Sequence, residues 1–247
     1  MSDQTARART FGVPGCRIRT GLPRPDPAHI AALSGQAASL VGDAIGRRRI
    51  MDNGIRPLAL SMKVCGPAFT VQVRPGDNLM VHAAVMLARK GDVVVVDAGG
   101  NCDFGIWGQI VSRAAMARGI AGVVLDGAVR DAADIAADGL PVWSRGINPR
   151  GGSRDGPGEI GFPVCCGGLM VEPGDIVVAD GDGVCVVPAA ELPAAVTGTE
   201  SRQTIEDARM AAIARGEIEP DWLAAELVAR GLWQEGLPLN DPTGGKA

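Results

Sequence analysis

Two short runs of uninterrupted aliphatic residues constrain this chain most. VVVV (93–96) and AGVVL (121–125) flank a stretch of helical length, IWGQIVSRAAMARG (106–119). Consecutive apolar residues without alternation mark a strand covered on both faces. A third run, PVWSRG (141–146), follows a second short helical stretch from Asp131 to Asp138. Strand–helix–strand–helix–strand order from Val93 to Gly146 predicts a parallel α/β unit.

The flanking segments build outward from this unit. GQAASLVGDAIG (35–46) has small and apolar residues at helical spacing, and PAFTVQVRPGDN reads as a strand ending in a Pro-Gly-Asp turn. Asn78 to Lys90 predicts a helix, with Leu79, Ala83, Val85, Met86 and Ala88 for its buried face. Residues 147–162 are dense in Gly, Pro and charge and predict a long loop. From Pro163 to Pro188, short β runs are broken at Pro173-Gly174-Asp175 and Gly181-Asp182-Gly183, where tight turns belong. Ala-rich residues 189–216 predict one or two helices. The expected organisation is an irregular arm over residues 1–26, draped over a partner subunit, and one α/β domain over 27–216. A C-terminal extension, 217–247, then ends in a loose tail, LPLNDPTGGKA. The fold class is layered α/β: a parallel βαβ core, an added β-sheet and C-terminal helices.

Composition narrows the function. A net charge of −4 gives no support to nonspecific nucleic-acid binding, which needs basic surface. No apolar run approaches the ~20 residues of a membrane span. MSDQTARARTFGVPG lacks the apolar segment of a secretory signal. The expectation is a soluble cytoplasmic protein with no nucleic-acid or membrane partner. Six cysteines without a C-x-x-C pair predict reduced, mostly buried thiols. His29 and His82 are the only histidines, and nothing is spaced for zinc. The absence of G-x-S-x-G, G-x-G-x-x-G and Walker A patterns removes the usual support for serine-hydrolase chemistry and nucleotide binding.

Two segments carry the candidate chemistry. Glycines 99, 100, 105 and 108 surround the expected start of the 106–119 helix, where free N–H groups and the helix dipole favour an anion. DGAVRD (126–131) ends the next strand in an adjacent Arg130–Asp131 pair. In a parallel unit the C-terminal ends of both strands share one edge, where ligands collect. Arg130 offers a planar donor fork to a carboxylate or an enolate oxygen. Asp131, with water, suits Mg²⁺, and a divalent ion chelated by a 2-oxo acid acts as a Lewis acid. Several other residues read first as structural: Asn78 and His82 as a helix cap and subunit contact, Asp180 and Asp182 as a turn, Trp107 as packing at a helix start. Arg145 and Arg150 are alternatively solvated residues or the lining of a pocket for an acidic substrate.

The pattern G-D-x-V-V-V-D-A-G-G … W-G … A-x-A-R-G-x-A-G-V-V-x-D-G-A-V-R-D resembles the RraA-like family, which includes class II pyruvate aldolases acting on 4-hydroxy-4-methyl-2-oxoglutarate and 4-carboxy-4-hydroxy-2-oxoadipate. The likeness continues through 66–78, 141–146 and 163–188 and covers roughly residues 30–215. It implies a layered β/β/α, swivelling-domain-like fold. It implies that Asp131 binds Mg²⁺ or Mn²⁺, that Arg130 contacts the keto oxygen, and that the amides of Gly108, Gln109, Ile110 and Val111 hold the pyruvate carboxylate. It further implies a trimer or hexamer with sites between protomers, completed by a C-terminal glutamate matched to Glu206, with Glu200 the fallback. The aldolases read D-x20-R-D, where the first Asp helps order a metal-bound water. This chain reads Q-x20-R-D, with Gln109 in that place, and Asp103 lies six positions too early to substitute. The expected function is a metal-dependent lyase releasing pyruvate from a 4-hydroxy-2-oxo di- or tricarboxylic acid. The alternatives are an oxaloacetate decarboxylase and a non-catalytic regulator of a ribonuclease or helicase.

Overall fold

The structure, a computed structural model, describes residues 8–239. Strands β1 (Arg9–Val13) and β2 (Cys16–Thr20) form an antiparallel hairpin about Pro14-Gly15. This ordered hairpin stands where an irregular arm was expected. Gly15 supplies the positive φ of the turn, and β2 gains a parallel strand partner from residues 158–160. Helices α1 (Pro27–Leu33) and α2 (Ala38–Ala44) follow, α1 capped by the Asp26 side chain on the Ala28 N–H. Strand β3 (Arg56–Pro57) precedes the ten-residue β4 (Val64–Val73).

The α/β unit then runs α3 (Leu79–Leu87), β5 (Val93–Asp97), β6 (Gly105–Trp107), α4 (Gln109–Ala117), β7 (Gly122–Val129), α5 (Ala132–Asp138) and β8 (Val142–Ile147). β9 (Gly158–Ile160) lies inside the expected long loop. It is followed by the pairs β10 (Val164–Cys166) with β11 (Leu169–Val171) and β12 (Ile176–Ala179) with β13 (Val184–Val187). The chain ends in α6 (Leu192–Ala214) and α7 (Leu223–Ala229).

β4, β5, β7 and β8 lie side by side and parallel, as the sequence order requires. β4 serves two sheets. Val64 to Pro67 pair antiparallel with β12, while Ala68 to Gln72 pair with β5. The VVVV run explains the layering. Val94 and Val96 face α3, α4 and α5 with Val81, Ala115 and Ile135, whereas Val93 and Val95 face the layer of β10–β13 with Val164 and Val186. Each fully buried valine contributes about 1.5–3 kcal/mol, so neither face tolerates a polar substitution. On α3 the buried stripe is Met80, Val81, Ala84 and Val85. Leu79 and Met86, expected inside, are exposed, because the helix presents residues 80, 81, 84 and 85 to the sheet.

Two compact units result, Met1–Glu200 and Ser201–Ala247. The division precedes the boundary expected after residue 216. Burial along α6 stops at Thr199, so the rest of that helix belongs with the C-terminal segment. Within the second unit Arg209 donates to the carbonyl oxygens of Glu217, Ile218 and Glu219, closing the turn before α7. Part of the loose tail expected at 237–247 lies outside the described residues. All six cysteines are free: Cys166 and Cys185 are buried, Cys65 and Cys102 partly so, and Cys16 and Cys165 exposed. Among the described residues no helix is long and apolar enough to cross a membrane.

Candidate active site

β7 continues through DGAV to Val129, so most of DGAVRD is strand rather than turn. Asp126 is buried within that strand because two donors satisfy it. Arg145 Nε reaches Oδ1, and the Gly167 N–H reaches Oδ2 at 2.8 Å. Beyond residue 126, β6 takes over the lane beside β7 that β5 has left. Gly105 to Trp107 are therefore strand, and α4 starts only at Gln109. This shift brings the two predicted segments into contact. The Arg130 N–H donates to the Trp107 carbonyl oxygen at 2.8 Å, and the Gln109 N–H donates to Asp131 Oδ2 at 3.2 Å.

Asp131 takes a left-handed conformation, φ 58° and ψ 36°, and is one of two such non-glycine residues among those described. Asp tolerates that region better than most side chains, and here its carboxylate meets the start of α4. Arg130 Nε lies 3.7 Å from the same Oδ2, with both side chains about two-fifths exposed. Glycines leave room for the pair. A Cβ on Gly108 would stand 2.9 Å from Asp131 Oδ2 and 3.0 Å from Arg130 Nε. One on Gly105 would stand 2.8 Å from Arg130 Cβ. Ile110 and Val111 occupy the first turn of α4, where the helix has no acceptor for their N–H groups.

Gln109 is placed differently from Asp131. Its side-chain amide donates to Asp138 Oδ2 at 3.0 Å, beside the two-pronged bond from Arg113. Arg113 first, and Gln109 second, hold the Asp138 carboxyl below its ordinary range. Asp103 bonds locally to Asn101. Glu206 is an exposed α6 residue of the second unit, and Glu200 is the last residue of the first.

A cleft of ≈ 60 Å³ opens over this arrangement, lined by Gly108, Ile110, Val111 and Arg130 together with Asn78, His82 and Arg154. Asn78 does not cap α3 with its side chain. Asp77 does so instead, accepting from the Leu79 N–H at 2.9 Å. Burial, and then the Arg154 charge, lower the His82 pKa, so its neutral form is favoured. Arg154 was not singled out from sequence. Arg145, which was, spans Asp126 and Asp52 in structural ion pairs that raise its pKa, and Arg150 lies over the Phe104 ring. Trp107 is wholly buried on β6 and donates to Ser112 Oγ at 2.7 Å. Asp180 bonds the Asp182 and Ala38 N–H groups and so fixes a turn and the start of α2.

Among the described residues no group of three or more His, Cys, Asp or Glu side chains is placed to cage a metal. A water-rich Mg²⁺ or Mn²⁺ would need as little as one carboxylate from the protein. Asp131 offers one: it is partly exposed, and no hydrogen bond reaches its Oδ1 from the described residues.

Fold and cleft together define a layered α/β protein with a donor-lined, cationic cleft at the C-terminal edge of its parallel strands. The chain belongs to the RraA-like family, described as Aldolase/RraA, which matches residues 37–186. It is 39% identical over 173 residues to the protein named "Putative 4-hydroxy-4-methyl-2-oxoglutarate aldolase" of Halalkalibacterium halodurans, covering 70% of this chain and 82% of that one. Streptomyces coelicolor RraAS2, described as an unusual member of the RNase ES inhibitor RraA protein family, superposes with a TM-score of 0.69. It is 33% identical, over 76% of this chain and 98% of that one. The RNA-processing inhibitor RraA from Thermus thermophilis superposes at 0.56 with 26% identity, over 61% and 92% of the two chains.

Proposed function

We propose that this protein is a divalent-metal-dependent lyase that cleaves a 4-hydroxy-2-oxo di- or tricarboxylic acid and releases pyruvate. The observation that carries the reading is the meeting of Arg130, Asp131 and the start of α4, where Arg130 and α4 line a cleft. The Halalkalibacterium relative supports the reaction class. Mg²⁺ or Mn²⁺ on Asp131 would supply Lewis-acid polarisation of the substrate's keto group.

The chain's own groups do the rest. The Ile110 and Val111 N–H groups bind the 2-oxo acid carboxylate at the positive end of α4. The C3–C4 bond breaks as the C4 hydroxyl loses its proton and becomes a carbonyl. The electron pair enters C3, giving the pyruvate enolate, which then takes up a proton at C3. Arg130 faces the charge that develops on the enolate oxygen. We assign Glu206 of a neighbouring subunit, in a trimer or hexamer, the completion of the site and the uptake of the C4 hydroxyl proton. The exposure of Ile110 (78%), beside the cleft, and of Met86 (55%) on α3 supports a subunit contact there.

Oxaloacetate decarboxylation is the second reading, favoured by one observation. It reaches the same enolate without removing a hydroxyl proton, and the Gln109 amide is bonded to Asp138 rather than turned to Asp131. A non-catalytic regulatory role, the alternative suggested by the Thermus RNA-processing inhibitor, would give Asp131 no task as a metal ligand. The deciding experiment is a coupled pyruvate assay over 4-hydroxy-2-oxo diacids and oxaloacetate, with Mg²⁺ and with EDTA, on the protein and on Asp131→Ala. The expected result is metal-dependent pyruvate release lost in the variant with the oligomer intact. No release from any of these acids by the unaltered protein refutes the lyase.

A further inference from the structure

We propose that a second cavity, at the N-terminal edge of the parallel strands, binds a phosphate group, either free or carried by a small ester. It stands apart from the lyase reading, because it uses none of the residues assigned to that reaction. The cavity, of ≈ 90 Å³, lies where the parallel part of β4 begins at Ala68 and where Asp92 leads into β5. Arg130 and Asp131 lie at the opposite, C-terminal edge of the same sheet. One wall is residues 19–24, which continue from β2, and another holds Arg89, just past α3.

Charge sets its chemistry. Three guanidiniums and one carboxylate line the cavity, those of Arg19, Arg24, Arg89 and Asp92. Asp92 is buried and already satisfied, by Arg24 Nη1 and by the Arg89 N–H at 2.8 Å. Arg24 and Asp92 therefore offset one another, and the charges of Arg19 and Arg89 remain. Neither of these two guanidiniums makes a hydrogen bond or ion pair with any described residue. That of Arg19 stands over the buried Phe162 ring, 4.1 Å from its centroid. Such stacking leaves the in-plane N–H donors of a guanidinium free. Arg17 lies over the same ring at 3.8 Å but is paired with Glu159, Nε to Oε1 2.8 Å.

The backbone adds donors. Gly21, Leu22 and Arg24 line the cavity, and their N–H groups have no acceptor among the described residues. Donors from several elements suit the oxygens of a tetrahedral phosphate better than a carboxylate, which offers two oxygens in one plane. The volume has room for several water molecules, and so for an ion of a few heavy atoms. A phosphate there would tie residues 19–24 to β4 and to the end of α3, and so fasten the N-terminal hairpin.

Calorimetry with inorganic phosphate tests the site, at constant ionic strength because such contacts weaken with salt. The unaltered protein is compared with Arg130→Gln, which removes a cation of the active-site cleft, and with Arg19→Gln, Arg89→Gln and Arg89→Lys. Binding is expected to persist in Arg130→Gln. It should weaken about 10- to 100-fold in Arg19→Gln and in Arg89→Gln, the range for losing a hydrogen bond to a charged group, and recover in part in Arg89→Lys. Arg89 is exposed, so Arg89→Gln should keep the melting temperature seen in chloride and is the deciding variant. Phosphate should raise the melting temperature of the unaltered protein, and Arg89→Gln should lose that rise. Tighter binding of glycerol 3-phosphate than of the free ion identifies an ester as the ligand, and weaker binding identifies the ion. An absence of phosphate binding overturns the proposal, as does malonate bound as tightly as phosphate. So does binding that vanishes in Arg130→Gln, or an affinity kept within twofold in Arg89→Gln.

Discussion

Gly108→Ala isolates the contact between the two halves of the site. The backbone of Gly108 is extended, φ −143° and ψ −176°, so alanine meets no conformational barrier there. What it meets is the Arg130–Asp131 pair. The new Cβ would stand 2.9 Å from Asp131 Oδ2, against an ordinary contact of about 3.5 Å. The carboxylate must retreat by roughly 0.5 Å, taking with it the bond from the Gln109 N–H. Arg130 must move as well, since its Cγ and Nε would lie 3.0 Å away. Both neighbours are partly exposed side chains free to shift, so the fold should lose little. Alanine is also the poorer helix cap, by about 1 kcal/mol at most, and a gain from reduced chain entropy offsets part of that.

The expected outcome is a change in melting temperature of no more than about 4 °C and a fall in kcat/KM for pyruvate release of about 10- to 100-fold. The apparent Mg²⁺ requirement should rise with it. Thermal denaturation and the coupled assay, run on one preparation, give both numbers. An enzyme of unaltered kcat/KM with an intact fold refutes the claim that Gly108 sets the position of Asp131. A collapse of the fold refutes the claim that the pair yields instead of the backbone.

Two further substitutions probe the surroundings of the cleft. Gln109→Asp removes the amide bond to Asp138 and restores an acidic group at the start of α4. The ratio of aldol cleavage to oxaloacetate decarboxylation should rise at least severalfold, because only the aldol step needs the hydroxyl proton removed, and an unchanged ratio counts against that reasoning. Asp77→Ala strips four donors of their shared acceptor. It should cost about 2–4 kcal/mol in urea unfolding at neutral pH. Burial raises the Asp77 pKa, but the bonds from Ser153, Leu79, Asp155 and Gly156 outweigh it and leave the carboxyl below its ordinary 3.8. Its contribution is therefore complete above the unfolded value and is lost as pH falls through the lower folded one. The stability gap between protein and variant should hold from pH 7 to 5 and close below 3.8; a gap that closes above pH 5 rules Asp77 out as the group responsible.

The parallel core was legible because each of its strands shows in local composition. Uninterrupted valines need cover on both faces, and both faces have it. The edge where Arg130, Asp131 and α4 meet followed from the parallel order alone. What escaped detection depends on partners distant in sequence. Asp126 is a charged residue that local composition would leave outside a buried strand, yet it lies within one, since Arg145 and the Gly167 N–H satisfy it from elsewhere in the chain. β9 sits among glycines and prolines and is a strand because β2 and β4 pair with it. The same distance effect separates three arginines. Arg145, Arg150 and Arg154 look alike in sequence, and only their neighbours separate an ion-paired strut, a ring-stacked side chain and a cleft residue.

That separation bears on the missing acidic residue at position 109. In a site where an acid there helps take the C4 proton, losing it weakens aldol cleavage and spares decarboxylation. The geometry adds an opposing pull. Asn78 Oδ1 has no donor among the described residues, and a C4 hydroxyl would offer one, whereas oxaloacetate has no hydroxyl at C4. Gln109, bonded to Asp138, thus argues for decarboxylation, and Asn78, which lines the cleft, for a hydroxylated substrate. Both are satisfied if the hydroxyl is bound by Asn78 but deprotonated by a group outside the first unit, the task assigned to Glu206 of a neighbour. Removing Asn78 should then reduce aldol cleavage and leave decarboxylation near its original rate. Removing Glu206 should do the same, whereas equal losses in both reactions would place each residue in the architecture of the site and not in its selection of substrate.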